Sequence, residues 1–494
     1  MSVDTDNAAF QDALNLIQYT RQSVFLTGKA GTGKSTFLRY VCEHTKKKYV
    51  VLAPTGIAAI NAGGSTMHSF FKLPFYPLLP DDPNLSLQRG RIHEFFKYTK
   101  PHRKLLEQIE LIIIDEISMV RADIIDAIDR ILRVYSHNLR EPFGGKQLLL
   151  VGDVFQLEPV VKNDEREILN RFYPTPYFFS ARVFGQIDLV SIELQKVYRQ
   201  TDPVFVGVLD HIRTNTAGAA DLQLLNTRYG SQIEESEADM YITLATRRDT
   251  VDSINEKKLA ELPGESITFE GVIEGDFPES SLPTSQELVL KPGAQIIFIK
   301  NDFDRRWVNG TIGVIAGIDE EEETIYVITD DGKECDVKRD SWRNIRYRYN
   351  EKTKEIEEEV LGSFTQYPIR LAWAITVHKS QGLTFSRVVI DFTGGVFAGG
   401  QAYVALSRCT SLDGIQLKKP INRADIFVRP EIVNFAGRFN NRQAIDKALK
   451  QAQADVQYAA AARAFNKGDM EECLEQFFRA IHSRYDIEKP LSLI

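Results

Sequence analysis

The chain has 494 residues, of which 43% are hydrophobic and 26% charged, and its formal net charge is −8. This length exceeds one ordinary hydrophobic core and suggests about three domains. No run approaches the roughly 20 apolar residues of a membrane helix, the N-terminus is too polar for a secretory signal, and the four cysteines show no metal-ligand spacing. We therefore expect a reduced cytoplasmic protein, associated with the nucleoid if it is bacterial. The acidic total disfavours a uniformly basic nucleic-acid-coating protein but leaves room for a local basic groove.

The first elements in chain order predict a doubly wound α/β domain at residues 1–188. Its predicted strands are short and apolar, as in a parallel sheet covered on both faces, and lie at 23–26, 49–53, 111–114 and 147–151. Helices are predicted between them, notably from Lys34 and at 122–135. A segment at 74–104, Pro-rich at its start and basic and aromatic at its end, interrupts the pattern and indicates an exposed insertion.

The second half of the chain predicts another α/β domain, divided between residues 189–287 and 368–430. Between its two parts, at 288–367, short strands joined by polar turns predict a small β insertion of SH3 type. The tail at 431–494 is helical in pattern and resembles one tetratricopeptide unit, which cannot bury its apolar face alone. The tail therefore either packs against the rest of the chain or is continued in the natural protein beyond Ile494, and it could bind a protein partner.

A phosphate-binding loop is the most specific motif. The sequence GKAGTGKS at 28–35 lies between a predicted strand and a predicted helix, as this motif requires. Backbone N–H groups of such a loop and of the following helix N-terminus bind phosphate oxygens. Lys34 would reach the β- and γ-phosphates of ATP, and Ser35 would bind Mg²⁺. The residues expected to bind ATP here are Gly28, Gly31, Thr32, Gly33, Lys34, Ser35 and Thr36.

The expected catalytic residues follow later strands. Asp115 and Glu116 end the third predicted strand; in this class of ATPase the Asp holds Mg²⁺ indirectly and the Glu polarises the attacking water. Gln156 follows the fourth strand and could contact both the γ-phosphate and the water. Hydrolysis also needs mobile positive charge on the γ-phosphate, for which Arg199 and Arg408 are candidates. Spacing alone leaves each arginine equally compatible with a surface ion pair.

Together with other segments, these motifs carry a family resemblance. The segments, in order, are GKAGTGKS, LAPTGIAA, TMHSFF, IIIDEISM, GDVFQLEPV, ELQKVYRQ, VNGTIG, TVHKSQGLTF and YVALSRC. Over about residues 10–430 the chain resembles superfamily-one DNA helicases, most closely the petite-integration-frequency (Pif-type) group, with the RecD-type group next. The resemblance supports the roles given to Gln156, Arg199 and Arg408, and it implies that Gln11 reads the adenine.

The resemblance also implies an activity. It predicts two RecA-like motor domains, the first with a wedge insertion, that use ATP and Mg²⁺ to travel 5′-to-3′ on single-stranded DNA. Forks, RNA–DNA hybrids and G-quadruplexes are the expected substrates, and repair, replication and telomere maintenance are the expected processes. We expect a monomer that binds single-stranded DNA and single-strand/duplex junctions and has no membrane partner.

The residues expected to contact DNA lie in both motor domains. A motor holds phosphates without reading sequence, which suits backbone N–H groups, hydroxyls and aromatic faces. The resemblance assigns this role to Pro54, Thr55, Gly56, His68, Phe70 and Phe71 in the first domain and to Thr376, His378, Lys379, Ser380, Gln381 and Gly382 in the second. Without the resemblance, Phe70 and Phe71 are more often core residues.

Several alternatives stay open. On a strand at 342–349, Arg346 and Arg348 share one face and apolar residues the other, which fits either a DNA-binding strand or an ordinary half-buried one. For the whole chain, one rival is a scaffold protein built on a degenerate ATPase, which predicts the loss of Lys34, Glu116 or an arginine; none is lost. The others are a translocase that remodels protein–DNA complexes without separating strands and an exonuclease-linked RecD-type subunit.

Overall fold

The computed structural model describes residues 4, 6–87, 91–200, 202–230 and 240–484, and its first domain is built on a six-stranded sheet. The strands are β1 Val24–Gly28, β2 Tyr49–Ala53, β3 Ser65–Thr66, β4 Leu111–Ile114, β5 Gln147–Val151 and β6 Val190–Leu194. They are ordered β3-β2-β4-β5-β1-β6, and their pairings are parallel. The helices of this domain are α1 Ala8–Tyr19, α2 Lys34–His44, α3 Gly56–Ala62, α4 Met67–Phe71, α5 Arg91–Phe95, α6 Lys100–Gln108, α7 Ala122–Tyr135 and α8 Asn163–Leu169.

Both faces of this sheet are covered, which explains the apolar strands. Successive side chains point to opposite faces. Ile112 and Ile114 join a core cluster with α7, whereas Leu111 and Ile113 join another with α1 and α2. The strands predicted at 49–53, 111–114 and 147–151 and the helix predicted at 122–135 coincide with β2, β4, β5 and α7. The predicted α/β class with parallel sheets is confirmed.

Among the residues described in the second half of the chain are one parallel sheet and three antiparallel ones. Its strands are β7 Ile242–Ala245, β8 Ile267–Glu270, β9 Val272–Gly275, β10 Glu287–Leu290, β11 Gln295–Phe298, β12 Ile312–Asp319, β13 Thr324–Thr329, β14 Glu334–Val337, β15 Asp340–Asn350, β16 Glu355–Gln366, β17 Ile369–Leu371, β18 Ala374–Thr376, β19 Val388–Asp391 and β20 Ile415–Leu417. Its helices are α9 Pro203–Arg213, α10 Ala219–Asn226, α11 Arg248–Glu261, α12 Gln401–Leu406, α13 Pro430–Ala436, α14 Arg442–Lys467 and α15 Met470–Arg484.

The parallel sheet, ordered β18-β7-β19-β20, forms the core of the second α/β domain, the second of the two expected motor domains, with α9 and α12. The antiparallel sheets form the β-rich insertion: β14-β13-β12-β11-β17, β15-β16-β9 and β10-β8. Because β8 and β9 pair with strands of the insertion, the β-rich region begins at Ile267, earlier than the predicted boundary at 288. Phe269 of β8 is buried there against the Tyr367 ring, with 5.0 Å between centroids.

A long hairpin, β15–β16, joins this insertion to the first motor domain. The side chains of Ile345, Tyr347 and Tyr349 are buried in the first domain's core cluster. The backbone N–H of Val51, in β2, donates a hydrogen bond to the Tyr347 hydroxyl at 3.3 Å. The apolar face of β15 is therefore a docking surface between insertion and motor domain.

The opposite face of β15 carries the arginines, and its neighbour in the sheet is acidic. Arg346 lies across from Glu359 and Arg348 across from Glu357. Arg346 and Glu359 form an ion pair at 2.8 Å. Since these acids reduce the positive potential of the strand, the geometry supports the half-buried interpretation of 342–349 over the DNA-binding one.

The helical tail crosses from the second motor domain to the first. Phe435 of α13 stacks on Phe179, with ring centroids 4.3 Å apart, and Ile445 and Ala448 of α14 join the core cluster beside α1. Helix α15 packs along α14, where Phe477 contacts Tyr458. The tail thus packs against the rest of the chain, which was one of the two arrangements expected for it. Within the described ranges, no helix has both the length and the apolarity needed to span a bilayer.

Candidate nucleotide and DNA site

The phosphate-binding loop joins β1 to α2. Gly31 and Gly33 have left-handed backbones, with φ of 79° and 90°, which favour glycine. A side chain at Gly31 would also collide with Arg199, so the loop needs glycine for close approach as well. The Lys34 ammonium lies inside the loop and donates to the carbonyl oxygens of Gly28 and Lys29 at 2.7 and 3.0 Å. Its burial lowers its pKa. The ammonium itself and the backbone N–H groups of such a loop, not these carbonyl oxygens, are the groups suited to phosphate oxygens.

The other predicted nucleotide residues lie around this loop. Thr32 is buried and donates to the Lys29 carbonyl at 2.9 Å, whereas Ser35 and Thr36 lie in the first turn of α2. Gln11 lies in α1. Near the start of that helix, the Tyr198 hydroxyl donates to Asp4 at 2.7 Å, and the Tyr198 ring approaches Gly33.

Two acidic residues follow β4 beside the loop. Burial and, to a smaller extent, the charge of the neighbouring Asp115 raise the pKa of Glu116 to about 7, and burial also raises the pKa of Asp115. Glu116 has φ of 50°, unusual for a residue with a side chain and typical of functional loops. Buried carboxylates of this kind are stabilised by a cation.

The donor set fits Mg²⁺. Within the part of the chain that the structure describes, no three His, Cys, Asp or Glu side chains form a metal cluster. Mg²⁺ commonly uses one or two carboxylates together with substrate phosphates and waters, so a hydroxyl from Ser35 and a carboxylate from Asp115 are sufficient.

The two arginines approach the phosphate loop from different parts of the fold: Arg199 follows β6 of the first domain and packs on Gly31, whereas Arg408 belongs to the second domain. Arg408 follows α12 and is 1% exposed; it donates to the carbonyl oxygens of Ser380 at 3.2 Å and Leu383 at 3.4 Å. Burial, reinforced by the charge of Arg199, lowers the pKa of Arg408 to about 9, whereas Glu116 counteracts this shift. The structure places Arg408 within electrostatic range of Glu116 and Arg199 within range of Lys34; the catalytic role of both arginines stays a prediction.

Gln156 lies in a loop held between the two domains. Its side chain is 8% exposed, and its backbone N–H donates to the Asp153 carbonyl at 3.0 Å. Gly400, at the start of α12, packs so closely on the Gln156 carbonyl that any side chain there would collide with it. Movement of one domain relative to the other would therefore displace Gln156.

The predicted DNA-contacting residues fall into two classes. Thr55 is exposed and caps α3, accepting a hydrogen bond from the Ala58 N–H at 3.2 Å. Lys379 is exposed in the second domain, where its N–H donates to Thr376 Oγ1 at 3.2 Å. Pro54, Gly56, His68, His378, Gln381 and Gly382 are likewise accessible in part. The first domain reaches the β-rich insertion here, because Gly56 packs against the Ser281 side chain.

Three of the residues predicted to contact DNA have buried side chains, and the prediction is corrected for them. Phe70 and Phe71 are 3% and 0% exposed within the first domain's core, so their rings offer no face to a base. Ser380 is 0% exposed, and its hydroxyl donates to the Val377 carbonyl at 2.7 Å. These side chains support the loops rather than contact DNA.

Sequence reasoning also missed residues that the structure places at the site. Phe75 is 85% exposed and stacks on His68, with 5.1 Å between centroids, so it presents the aromatic face that Phe70 and Phe71 lack. Tyr403 of α12 accepts a hydrogen bond from the Ala30 N–H of the phosphate loop at 3.1 Å. The PFYP segment gave a weak signal for Phe75; the role of Tyr403 depends on contact between domains.

Comparison with known proteins points to one family. The model of the PIF1-like helicase family matches residues 4–207. The ATP-dependent DNA helicase Pif1 of Campylobacter jejuni is 34% identical over 80% of this chain and 88% of its own length. The ATP-dependent DNA helicase PIF1 of Emericella nidulans is 32% identical over 84% of this chain, which spans only 60% of that relative.

A solved relative from Bacteroides is 42% identical, and the similarity covers 87% of this chain and 96% of that one. Its complex with ADP-AlF4 gives a TM-score of 0.80 and its unliganded form 0.78. The form bound to single-stranded DNA gives only 0.63. The domain arrangement described above is thus closer to the unliganded form than to the DNA-bound form.

Proposed function

The chain belongs to the PIF1-like helicase family of ATP-dependent DNA helicases, and we propose that it travels 5′-to-3′ on single-stranded DNA and unwinds forks, RNA–DNA hybrids and G-quadruplexes. The observation that carries the motor mechanism is the position of Arg408. Its buried guanidinium lies within electrostatic range of Glu116 and donates to the carbonyl oxygens of Ser380, in the predicted DNA loop, and of Leu383, directly after that loop. One side chain therefore links the site of hydrolysis to the DNA track.

In this proposal ATP is bound by residues 28–36, with Lys34 on the β- and γ-phosphates. Mg²⁺, held through Ser35 and Asp115, would neutralise phosphate charge. Glu116 accepts the proton of the attacking water, and Gln156 orients that water. Arg199 and Arg408 stabilise the negative charge that develops on the γ-phosphate, which requires the cleft to be closed.

Translocation follows from the coupling of this cleft to the two DNA loops. The loop at 54–56 and the loop at 376–382 belong to different motor domains, so closure changes the distance between them. Because Arg408 bonds to Ser380 and Leu383, release of phosphate from the arginine can shift the second loop. Alternating grip by the two loops would advance the strand.

DNA binding is expected to rearrange the insertion. The hairpin β15–β16 is docked on the first domain, and the Bacteroides relative matches this arrangement better when unliganded than when bound to single-stranded DNA. A ligand that favours an undocked state shifts the population toward it. We infer that the hairpin undocks when the strand enters.

The domain assignment that accompanies this proposal differs from the sequence-based boundaries at 188 and 288. It places the first motor domain at 1–194, because β6 pairs with β1, and the second at 195–266 with 368–430, with a wedge at 74–104, the β insertion beginning at 267 and the tail from 431. The expected ligands are single-stranded DNA and single-strand/duplex junctions, bound by a monomer, and α15 could bind a protein partner. The cytoplasm, or the nucleoid of a bacterium, is the expected location, and repair, replication and telomere maintenance are the expected processes.

The test is ATP hydrolysis with and without single-stranded DNA, beside strand separation on forked duplexes with a single 5′ or 3′ tail. Wild type should show DNA-stimulated turnover and unwind only from the 5′ tail, and Glu116→Gln should lose both. Unwinding from the 3′ tail would overturn the direction. Turnover without unwinding would favour the translocase, and absence of DNA-stimulated turnover would refute the motor.

A further inference from the structure

A buried guanidinium that none of the sequence motifs includes lies behind Gln156. Arg213, at the end of α9, is 4% exposed. Its Nη2 and Nε donate to the two carboxylate oxygens of Asp153 at 3.1 and 3.3 Å, and its Nη1 lies 2.9 Å from Glu193 Oε1. Its guanidinium carbon lies 4.4 Å from the centre of the Phe155 ring. Arg213 thus contacts both Asp153 and Phe155 in the three residues that precede Gln156.

The chemistry of this contact favours a permanent, oriented charge. Burial opposes the charged form, but the carboxylates of Asp153 and Glu193 outweigh it, so the pKa of Arg213 lies above its ordinary value. A planar guanidinium paired with a carboxylate through two bonds fixes orientation as well as distance, which a lysine cannot do.

The partners of this ion pair belong to different motor domains. Helix α9 packs in the core of the second domain, whereas Asp153 and Glu193 lie at the ends of strands in the first. Leu157, one residue after Gln156, is itself buried in the second domain's core cluster. Opening of the cleft would separate these groups and expose both charges, so the ion pair favours the closed arrangement.

The far end of the same segment is anchored to the first domain. Glu158 accepts a hydrogen bond from the Tyr177 hydroxyl at 3.0 Å and one from Arg429 Nε at 2.7 Å. Near Glu158 the segment is therefore held by Tyr177 of the first domain and by Arg429, the residue before α13, at the junction of the second domain and the tail. At Asp153 it is held by Arg213 of the second domain.

We propose that Arg213 is a positioning residue that orders the Asp153–Gln156 segment upon cleft closure, so that Gln156 reaches the attacking water only when the two motor domains are together. The inference rests on the role of Gln156 in the proposed function. It explains how hydrolysis would be prevented in the open cleft: without Arg213, Asp153 loses the second-domain guanidinium that orients the segment carrying Gln156.

The experiment compares the full chain with Arg213→Gln, Arg213→Lys and a matched control, Arg133→Gln. Arg133 is also a buried arginine paired to a carboxylate, Asp129 at 2.9 Å, but it lies in α7 away from the cleft. Arg213→Gln should lower the DNA-stimulated kcat roughly 10- to 100-fold while KM for ATP stays within about threefold, because displacement of a positioned group by about 1 Å has effects of this size. Arg213→Lys should restore part of the rate, and Arg133→Gln should lose thermal stability at unchanged kcat.

Several outcomes overturn the inference. The inference is wrong if Arg213→Gln has the same kcat as Arg133→Gln. It is also wrong if Arg213→Gln has a raised KM for ATP and a normal kcat. If Arg213→Gln does not fold because Asp153 is left buried and unpaired, Arg213→Gln/Asp153→Asn replaces the charged pair by two neutral amides. The same loss of kcat in that double variant supports the proposal, and a normal kcat refutes it. Absence of DNA-stimulated turnover in wild type refutes the proposed function itself and this inference with it, whereas normal wild-type turnover with unaffected Arg213 variants refutes the inference alone.

Discussion

Replacing Tyr347 by phenylalanine should make the protein bind single-stranded DNA more tightly. The Tyr347 ring is buried between the β15–β16 hairpin and the first motor domain. Its hydroxyl accepts a hydrogen bond from the Val51 N–H at 3.3 Å and lies 3.5 Å from the Val51 carbonyl oxygen. Tyr347→Phe keeps the ring and removes only these polar contacts, so it weakens docking without opening a large cavity.

The expected magnitude follows from the buried backbone groups that are left unpaired. Loss of a buried hydrogen-bond partner costs about 1–3 kcal/mol. If the hairpin must undock before DNA binds, a weaker docking contact makes the free energy of DNA binding more favourable by the same amount. A change of about 1–2 kcal/mol corresponds to a roughly 5- to 30-fold change in an equilibrium constant. The Kd for single-stranded DNA should therefore fall by about that factor.

The assay is fluorescence anisotropy of a labelled oligothymidylate at fixed salt, since phosphate binding depends strongly on ionic strength. Tyr367→Phe is the matched control: the Tyr367 hydroxyl donates to the Glu323 carbonyl at 2.9 Å within the β-rich insertion, away from the docking surface. It should lose a similar amount of stability at unchanged DNA affinity. Equal or weaker DNA binding by a folded Tyr347→Phe would refute the link between docking and DNA.

Three further predictions concern the cleft, the track and the docking surface. Arg408→Ala should lower kcat about 10³-fold or more at nearly unchanged KM for ATP; steady-state kinetics that show lost nucleotide binding instead would make the residue structural. Phe75→Ala should weaken binding of single-stranded DNA by about 1–3 kcal/mol at unchanged melting temperature, and an unchanged titration would remove Phe75 from the track. Burial lowers the pKa of His102 from 6.5 to about 4, so the stability it contributes is present above pH 6.5 and is lost as the pH falls toward 4. Urea unfolding should show this loss, up to about 1.4 kcal/mol per pH unit, reduced in His102→Gln; an equal loss in both proteins would contradict it.

Motifs that act through their own backbone could be predicted from the sequence. The phosphate loop at 28–35 needs left-handed glycines and a following helix, and both are properties of a few neighbouring residues. The strands β2, β4 and β5 could be placed because a sheet covered on both faces requires short apolar runs, whatever their partners. The positions of Lys34, Asp115 and Glu116 follow directly from these elements.

Residues whose burial depends on distant segments could not be predicted in this way. Phe70 and Phe71 adjoin an exposed loop in sequence, but their rings enter the core, and the exposed stacking face belongs to Phe75. The alternation of apolar and charged residues along β15 predicted its two faces correctly. It could not predict that the apolar face docks on a different domain through Tyr347.

The sequence by itself determined the class of fold, the nucleotide loop and the residues able to act on a phosphate, because each depends on short-range backbone geometry or on the chemistry of a single side chain. Only the tertiary structure decided how the two halves communicate. Arg213 reaches Asp153 across 60 residues, and Tyr403 reaches Ala30 across 373. Such contacts are made when separate hydrophobic cores pack against each other, and no local pattern encodes them.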